Sequence, residues 1–143
     1  MATACIKTPI GLPQIFLAKA DSPHQVGKYS DAEKLIRAVK GEAGAVVFGP
    51  YVKLEPGGYS ATFDVTATAP TTGVALGEVD VSEVTVVKSE NKLIFAPIFS
   101  SPTSQKIAVE FSVTSRDVKY EFRVWSNCAG VVEYRGIEGK LIE

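Results

Sequence analysis

Hydrophobic and polar positions alternate along most of the last two-thirds of the chain. In Tyr59-Ser60-Ala61-Thr62-Phe63-Asp64-Val65-Thr66 large residues alternate with small or polar ones, the period of a strand with one buried face. Ile107–Val113 repeats the pattern, with Ile107, Val109, Phe111 and Val113 on one side. Val118–Trp125 is the clearest case. It sets Val118, Tyr120, Phe122 and Val124 against Lys119, Glu121, Arg123 and Trp125.

Further strands are predicted at Ala45–Leu54, Val74–Val81, Val84–Val87, Leu93–Phe99 and Val131–Tyr134. The first and last segments, Gln14–Ala20 and Gly136–Ile142, are expected to pair and close the domain. Turn residues punctuate the series at Pro56-Gly57-Gly58, Pro70 to Gly73, Glu90-Asn91, Ser100 to Ser104 and Ser126 to Gly130. Many short alternating strands with Gly and Pro breaks predict an all-β domain. One segment carries a helix signal. Ser30-Asp31-Ala32-Glu33 has the form of a capping box before Leu35-Ile36-Arg37-Ala38-Val39. That run also fits a strand, and a turn at 30–33 with a strand after it is the reading preferred here.

A length of 143 residues suits one domain spanning the whole chain, and a core of that size needs neither metal nor disulfide to form. The 15 Lys and Arg against 16 Asp and Glu leave a formal charge of −1 with no basic run. Such a surface lacks the long-range attraction that nucleic acid or anionic lipid demands. No apolar stretch approaches the ~18–20 residues of a membrane span, so a soluble domain without membrane insertion is expected. The N-terminus has no basic segment followed by an apolar one, which argues against a signal peptide. A mature secreted form reads the same way, so the compartment stays open. Cys5 and Cys128 read either as two small buried hydrophobes or as a disulfide between an early and a late strand.

Catalytic signatures are missing. His24 is the only histidine, in the polar loop Asp21-Ser22-Pro23-His24-Gln25, where a plain solvated side chain is expected. There is no Cys-x-x-Cys, no His-Glu-x-x-His, no Gly-x-Ser-x-Gly elbow and no Walker-type glycine loop. Glu78 and Asp80 share a strand face at i and i+2. They read as ligands for one hard cation such as calcium, or as two solvated charges.

Trp125 alternates onto the polar face beside Arg123, an odd use of the largest apolar side chain. If that face is open, the indole would stack on the apolar C–H face of a sugar while the guanidinium fork donates to its hydroxyls. If both faces are covered, Trp125 fills a second layer of packing.

The stretch Phe48-Gly49-Pro50-Tyr51-Val52-Lys53-Leu54-Glu55-Pro56-Gly57-Gly58-Tyr59 resembles a passage of carbohydrate-binding-module-like β-sandwiches, including those appended to bacterial glycosyltransferases. Tyr120-Glu121-Phe122-Arg123-Val124-Trp125 is similar to their late strand, Ile137–Ile142 to the strand that follows it, and Ile15–Asp21 more loosely to their first. The resemblance implies a jelly-roll fold and glycan recognition; it names neither the sugar nor the residues that bind it.

The reading is therefore a jelly-roll-like sandwich of two antiparallel sheets that binds a saccharide without catalysis. Trp125 or Tyr51 would stack, and Arg37, Arg123, Asn127 or Glu78 would supply hydrogen bonds. The alternative is a structural or protein-interaction domain whose aromatics form a subunit interface, and a homo-oligomer suits either account. A glycan hydrolase would need a carboxylate pair across a cleft, for which no motif is present.

Overall fold

A computed structural model describes residues 14–85 and 91–142, with the side chain of Gln14 excepted. The described elements are eleven strands. They are β1 (Gln14–Leu17), β2 (Lys28–Ser30), β3 (Leu35–Ala38), β4 (Ala43–Val47), β5 (Val52–Lys53), β6 (Gly57–Thr68), β7 (Ala75–Val84), β8 (Asn91–Phe99), β9 (Gln105–Val113), β10 (Lys119–Asn127) and β11 (Val131–Leu141). All pairings are antiparallel. One sheet runs β9-β6-β11-β3-β2, with β1 added beside β3 on β11. The other runs β4-β10-β7-β8, with β5 also on β10. From β6 onward the chain crosses between sheets repeatedly, and the result is an all-β sandwich.

The alternation seen in the sequence is what builds the core. Tyr59, Ala61, Phe63, Val65 and Ala67 of β6 are buried, as are Tyr120, Phe122 and Val124 of β10. Phe111 of β9 is the hub where the sheets meet, with ring centroids 5.7 Å from Tyr59, 5.8 Å from Tyr120 and 6.0 Å from Phe122. These separations suit favourable aromatic packing. The first and last segments do pair, Gln14–Leu17 against Gly136–Gly139. Tyr134 of β11 fastens that seam by donating its hydroxyl to the Phe16 carbonyl, and burial pushes its phenol well above the usual range.

One expectation holds and two are refined. The turn after Ser30 with a strand beyond it forms as expected; Glu33 N–H donates to Ser30 Oγ at 3.2 Å, and no helix follows. Lys34 sits at φ 59°, a left-handed conformation that breaks a helical run, and β3 begins at the next residue. β7 does not break near Ser82 but runs on to Val84, with a register irregularity against β8 at Val81/Ser82; residues 86 and 87 of the strand predicted at Val84–Val87 lie outside those described. The two segments predicted at 131–134 and 136–142 are one strand. A bulge between Tyr134 and Gly136 takes up the irregularity against β6 without ending the strand.

Candidate functional site

The Gly-Pro-Tyr passage makes a corner against β10. Phe122 N–H donates to the Gly49 carbonyl at 3.0 Å, and Val52–Lys53 pair with Tyr120 and Lys119. Where the chain returns into β6, the Tyr59 hydroxyl closes on the Glu55 carbonyl at 2.7 Å. Tyr51 is thereby carried to the outer face of the five-stranded sheet, where its hydroxyl donates to Glu121 Oε2 at 3.1 Å.

On that outer face, cross-strand register assembles a polar layer. β10 places Glu121, Arg123 and Trp125 opposite Ser82, Asp80 and Glu78 of β7. Arg123 Nε donates to Asp80 Oδ1 at 2.9 Å and Nη2 to Ser82 Oγ at 2.7 Å, while Nη1 lies 4.0 Å from Glu121. The Trp125 indole N–H donates to the other Asp80 oxygen at 2.6 Å. The Arg123 guanidinium lies 5.0 Å from the centre of the Trp125 ring, within range of a cation–π contact. Asp80, Ser82, Glu121 and Arg123 are all buried, and Trp125 is partly exposed above them. The indole is therefore held in plane and position by a carboxylate at its N–H and a guanidinium against its ring.

Close approach of β7 and β10 depends on one glycine. A Cβ at Gly77 would lie 1.9 Å from the Trp125 carbonyl oxygen, so any side chain there would push Trp125 and its strand outward.

An open groove of about 540 Å³ lies over this layer, lined by Gly77, Glu78, Lys92, Arg123, Trp125, Ser126 and Asn127. Glu78 and Lys92 flank the indole as an ion pair, Nζ to Oε2 2.6 Å, offering an acceptor beside a donor. Asn127 closes one end, its amide donating to the Ala75 carbonyl and accepting from Ala129 N–H. A smaller hollow on the other side of Arg123 is shared by Tyr51, Glu121 and Trp125.

Five of the six side chains singled out in the sequence thus gather on one face. Trp125, Arg123, Asn127 and Glu78 line the groove and Tyr51 stands next to it. Arg37 lies elsewhere, on β3 of the other sheet, bound to Glu133 at 2.6 Å and Glu33 at 2.8 Å. Glu78 and Asp80 do share a face, but Asp80 is taken up by Arg123, Ser82 and Trp125 and Glu78 by Lys92. Among the described residues no three His, Cys, Asp or Glu side chains gather to hold a metal ion. His24 Nδ1 meets the Ser22 carbonyl within its own loop. Cys128 is exposed and forms no disulfide among the described residues; Cys5 lies outside them.

No protein-family model matches the chain, and no curated protein does either. Solved structures do match in shape. The C-terminal family 6 carbohydrate-binding module of a marine laminarinase from Zobellia galactanivorans has a TM-score of 0.57 at 11% identity, over 93% of this chain and 99% of that one. A module of Cellvibrio mixtus lichenase 5A, solved with cellotriose, has a TM-score of 0.55 at 10% identity, over 92% and 99%. A family 16 carbohydrate-binding module has a TM-score of 0.54 at 16% identity, over 82% and 81%. The chain has the fold of a carbohydrate-binding-module β-sandwich. At these identities the likeness is one of fold, and the case for function rests on the groove.

Sequence reasoning missed two side chains of this face, Lys92 and Phe95. Phe95 is 57% exposed with the Lys92 ammonium 4.9 Å from its ring centre. The run Leu93–Phe99 is almost wholly apolar, so it shows no polar partner face from which an outward Phe can be told. The role of Asp80 was hidden for another reason, since only the β7–β10 register brings it to Trp125.

Proposed function

We propose that the protein is a non-catalytic carbohydrate-binding domain that takes its ligand in the groove on the outer face of the five-stranded sheet. The observation that carries this reading is the partly exposed Trp125 indole, fixed from below by Asp80 and Arg123 and flanked by the Glu78–Lys92 pair. A sugar ring presents an apolar C–H face and a rim of hydroxyls that both donate and accept. The indole plane suits the first and the carboxylate–ammonium pair the second. Because the ring is already held, little freedom remains to be lost on binding. Arg123 acts here as a positioning residue, since its Nε and Nη2 are engaged with Asp80 and Ser82. Asn127 shapes the end of the groove, Tyr51 borders it, and Arg37 takes no part.

The similarity in fold to modules solved with bound oligosaccharide supports the same reading. Glu78, the carboxylate that lines the groove, is tied to Lys92, and Asp80 buried beneath it to Arg123, an arrangement for holding a ligand rather than for passing protons to a glycosidic oxygen. A single shallow site binds weakly, so useful affinity would come from two copies or from tethering to another module.

Trp125 is the only tryptophan, so intrinsic fluorescence reports on the site alone. Titration with cello- and xylo-oligosaccharides should change its emission. Trp125→Ala should abolish calorimetric binding while the circular dichroism stays that of the wild type. A second reading makes this face a subunit interface, favoured by the exposed Phe95 and Phe99 on the edge strand β8. Gel filtration showing an oligomer that dissociates on Trp125→Ala, with no saccharide bound by the wild type, would replace the first reading by the second.

A further inference from the structure

The binding face does not end at Trp125. Register carries the outer face one strand further: Trp125 is opposite Glu78 and Glu78 opposite Pro97, while Arg123 is opposite Asp80 and Asp80 opposite Phe95. Phe95 therefore points outward in the row next to that of Trp125, two strands away. Ordinary strand spacing and rise set the two Cα positions roughly 12 Å apart. That is wider than one pyranose ring, so no single sugar can lie on both aromatics. Between them stands the ion pair, with Lys92 Nζ on Glu78 and over the Phe95 ring at once. The face reads as a line of aromatic, carboxylate, ammonium and aromatic.

Resting on the carbohydrate reading above, we infer that Phe95 is a second stacking platform, and that the ligand is an extended oligosaccharide of three or more units lying diagonally across β10, β7 and β8. Two aromatic side chains on one open sheet face suit a flat, ribbon-like chain. Equatorially linked glycans take that shape and show an apolar ring face to the same side at intervals. A coiled, axially linked chain would meet one aromatic and lift away from the other. On binding, the Lys92 ammonium leaves the Phe95 ring, which the sugar then covers, and donates to hydroxyls of the middle unit, still beside Glu78.

The test is calorimetry with glucose, cellobiose, cellotriose and cellohexaose, and with the matching xylose series, on wild type, Phe95→Ala, Phe95→Tyr and Trp125→Ala. Affinity of the wild type should rise steeply between two and three units and then level off. Phe95→Ala should lose about tenfold on the trimer and hexamer, as expected when one ring's apolar contact is removed, while changing binding of the disaccharide less than about twofold. Phe95→Tyr, which keeps the ring, should bind like wild type. Since Phe95 is largely exposed, both variants should keep the wild-type melting temperature.

If Phe95→Ala binds every length as wild type does while Trp125→Ala binds none, the second platform is overturned and the groove reading stands. Failure of all lengths of both series to bind wild type overturns both. Sedimentation showing that Phe95→Ala dissolves a dimer, with glycan affinities unchanged, also overturns the second platform and makes β8 a subunit contact.

Discussion

The two sheets present outer faces built from the same chemistry and differing in burial. On the six-stranded sheet, Arg37 pairs with Glu133 and Glu33, Arg135 with Asp64 and Glu133, and Lys106 with Asp64. The Arg37 and Arg135 side chains there are 34% and 31% exposed. On the five-stranded sheet the Arg123 side chain is 7% exposed and its partner Asp80 wholly covered. Exposed pairs trade water for each other at little net gain. A covered pair has given up its water, so each member depends on the other. Ion pairs on the first face decorate a surface, whereas those on the second form a rigid bed on which an aromatic ring is laid.

Removing one member of the covered pair is the strongest way to break this contrast. Arg123→Ala leaves Asp80 buried without its cation and should cost about 3–5 kcal/mol in urea unfolding. Joint replacement by Asp80→Leu and Arg123→Met should recover only part of that loss, because the buried Glu121 carboxylate also loses Arg123, while leaving Trp125 unanchored. If Arg123→Ala were no more harmful than Arg37→Ala, the two faces would be equivalent after all. A smaller effect is expected from Gly77→Ala, about 1–3 kcal/mol, because the new methyl meets the Trp125 carbonyl and must displace β10. The same displacement should blue- or red-shift Trp125 emission, which a purely local strain would leave alone.

The smallest effect belongs to the exposed face. Hydrogen bonding and attraction from Arg37 hold the Glu33 carboxyl below its ordinary range. A depressed carboxylate adds stability above its ordinary value, and that contribution disappears as pH falls through the folded value. Since Glu33 is exposed, Arg37→Ala should return its NMR titration to the usual range and should cost far less in unfolding than Arg123→Ala. High salt should move the wild-type titration the same way.

The strands were legible wherever one face is buried and the other wet. Tyr59–Thr66, Ile107–Val113 and Val118–Trp125 alternate because the sandwich has one interior and two exteriors. The outward placement of Trp125 followed from the same period. The signal was weaker where local chemistry had two solutions. Ser30-x-x-Glu33 forms the same hydrogen bond in a turn as at a helix start; the turn is the preferred reading of the sequence, and the backbone of Lys34 decides for it. Legibility failed where the decisive neighbour is remote in sequence. Arg37 and Arg123 are both arginines on alternating strands, yet only strand pairing within each sheet puts one beside Glu133 and the other over Asp80. Phe95 was concealed by a strand with apolar residues on both faces.

The place of β11 in its sheet has a consequence for how the chain becomes folded. It is the last described strand in sequence, but it lies between β6 and both β3 and β1. Until it arrives, the early strands β1 to β3 have no bridge to β6 and β9. Most of the sheet's closure must therefore wait for contacts between distant parts of the chain, which places folding in the slow, millisecond-to-second regime of non-local β topologies. During synthesis the emerging strands would meanwhile offer unpaired edges to other chains.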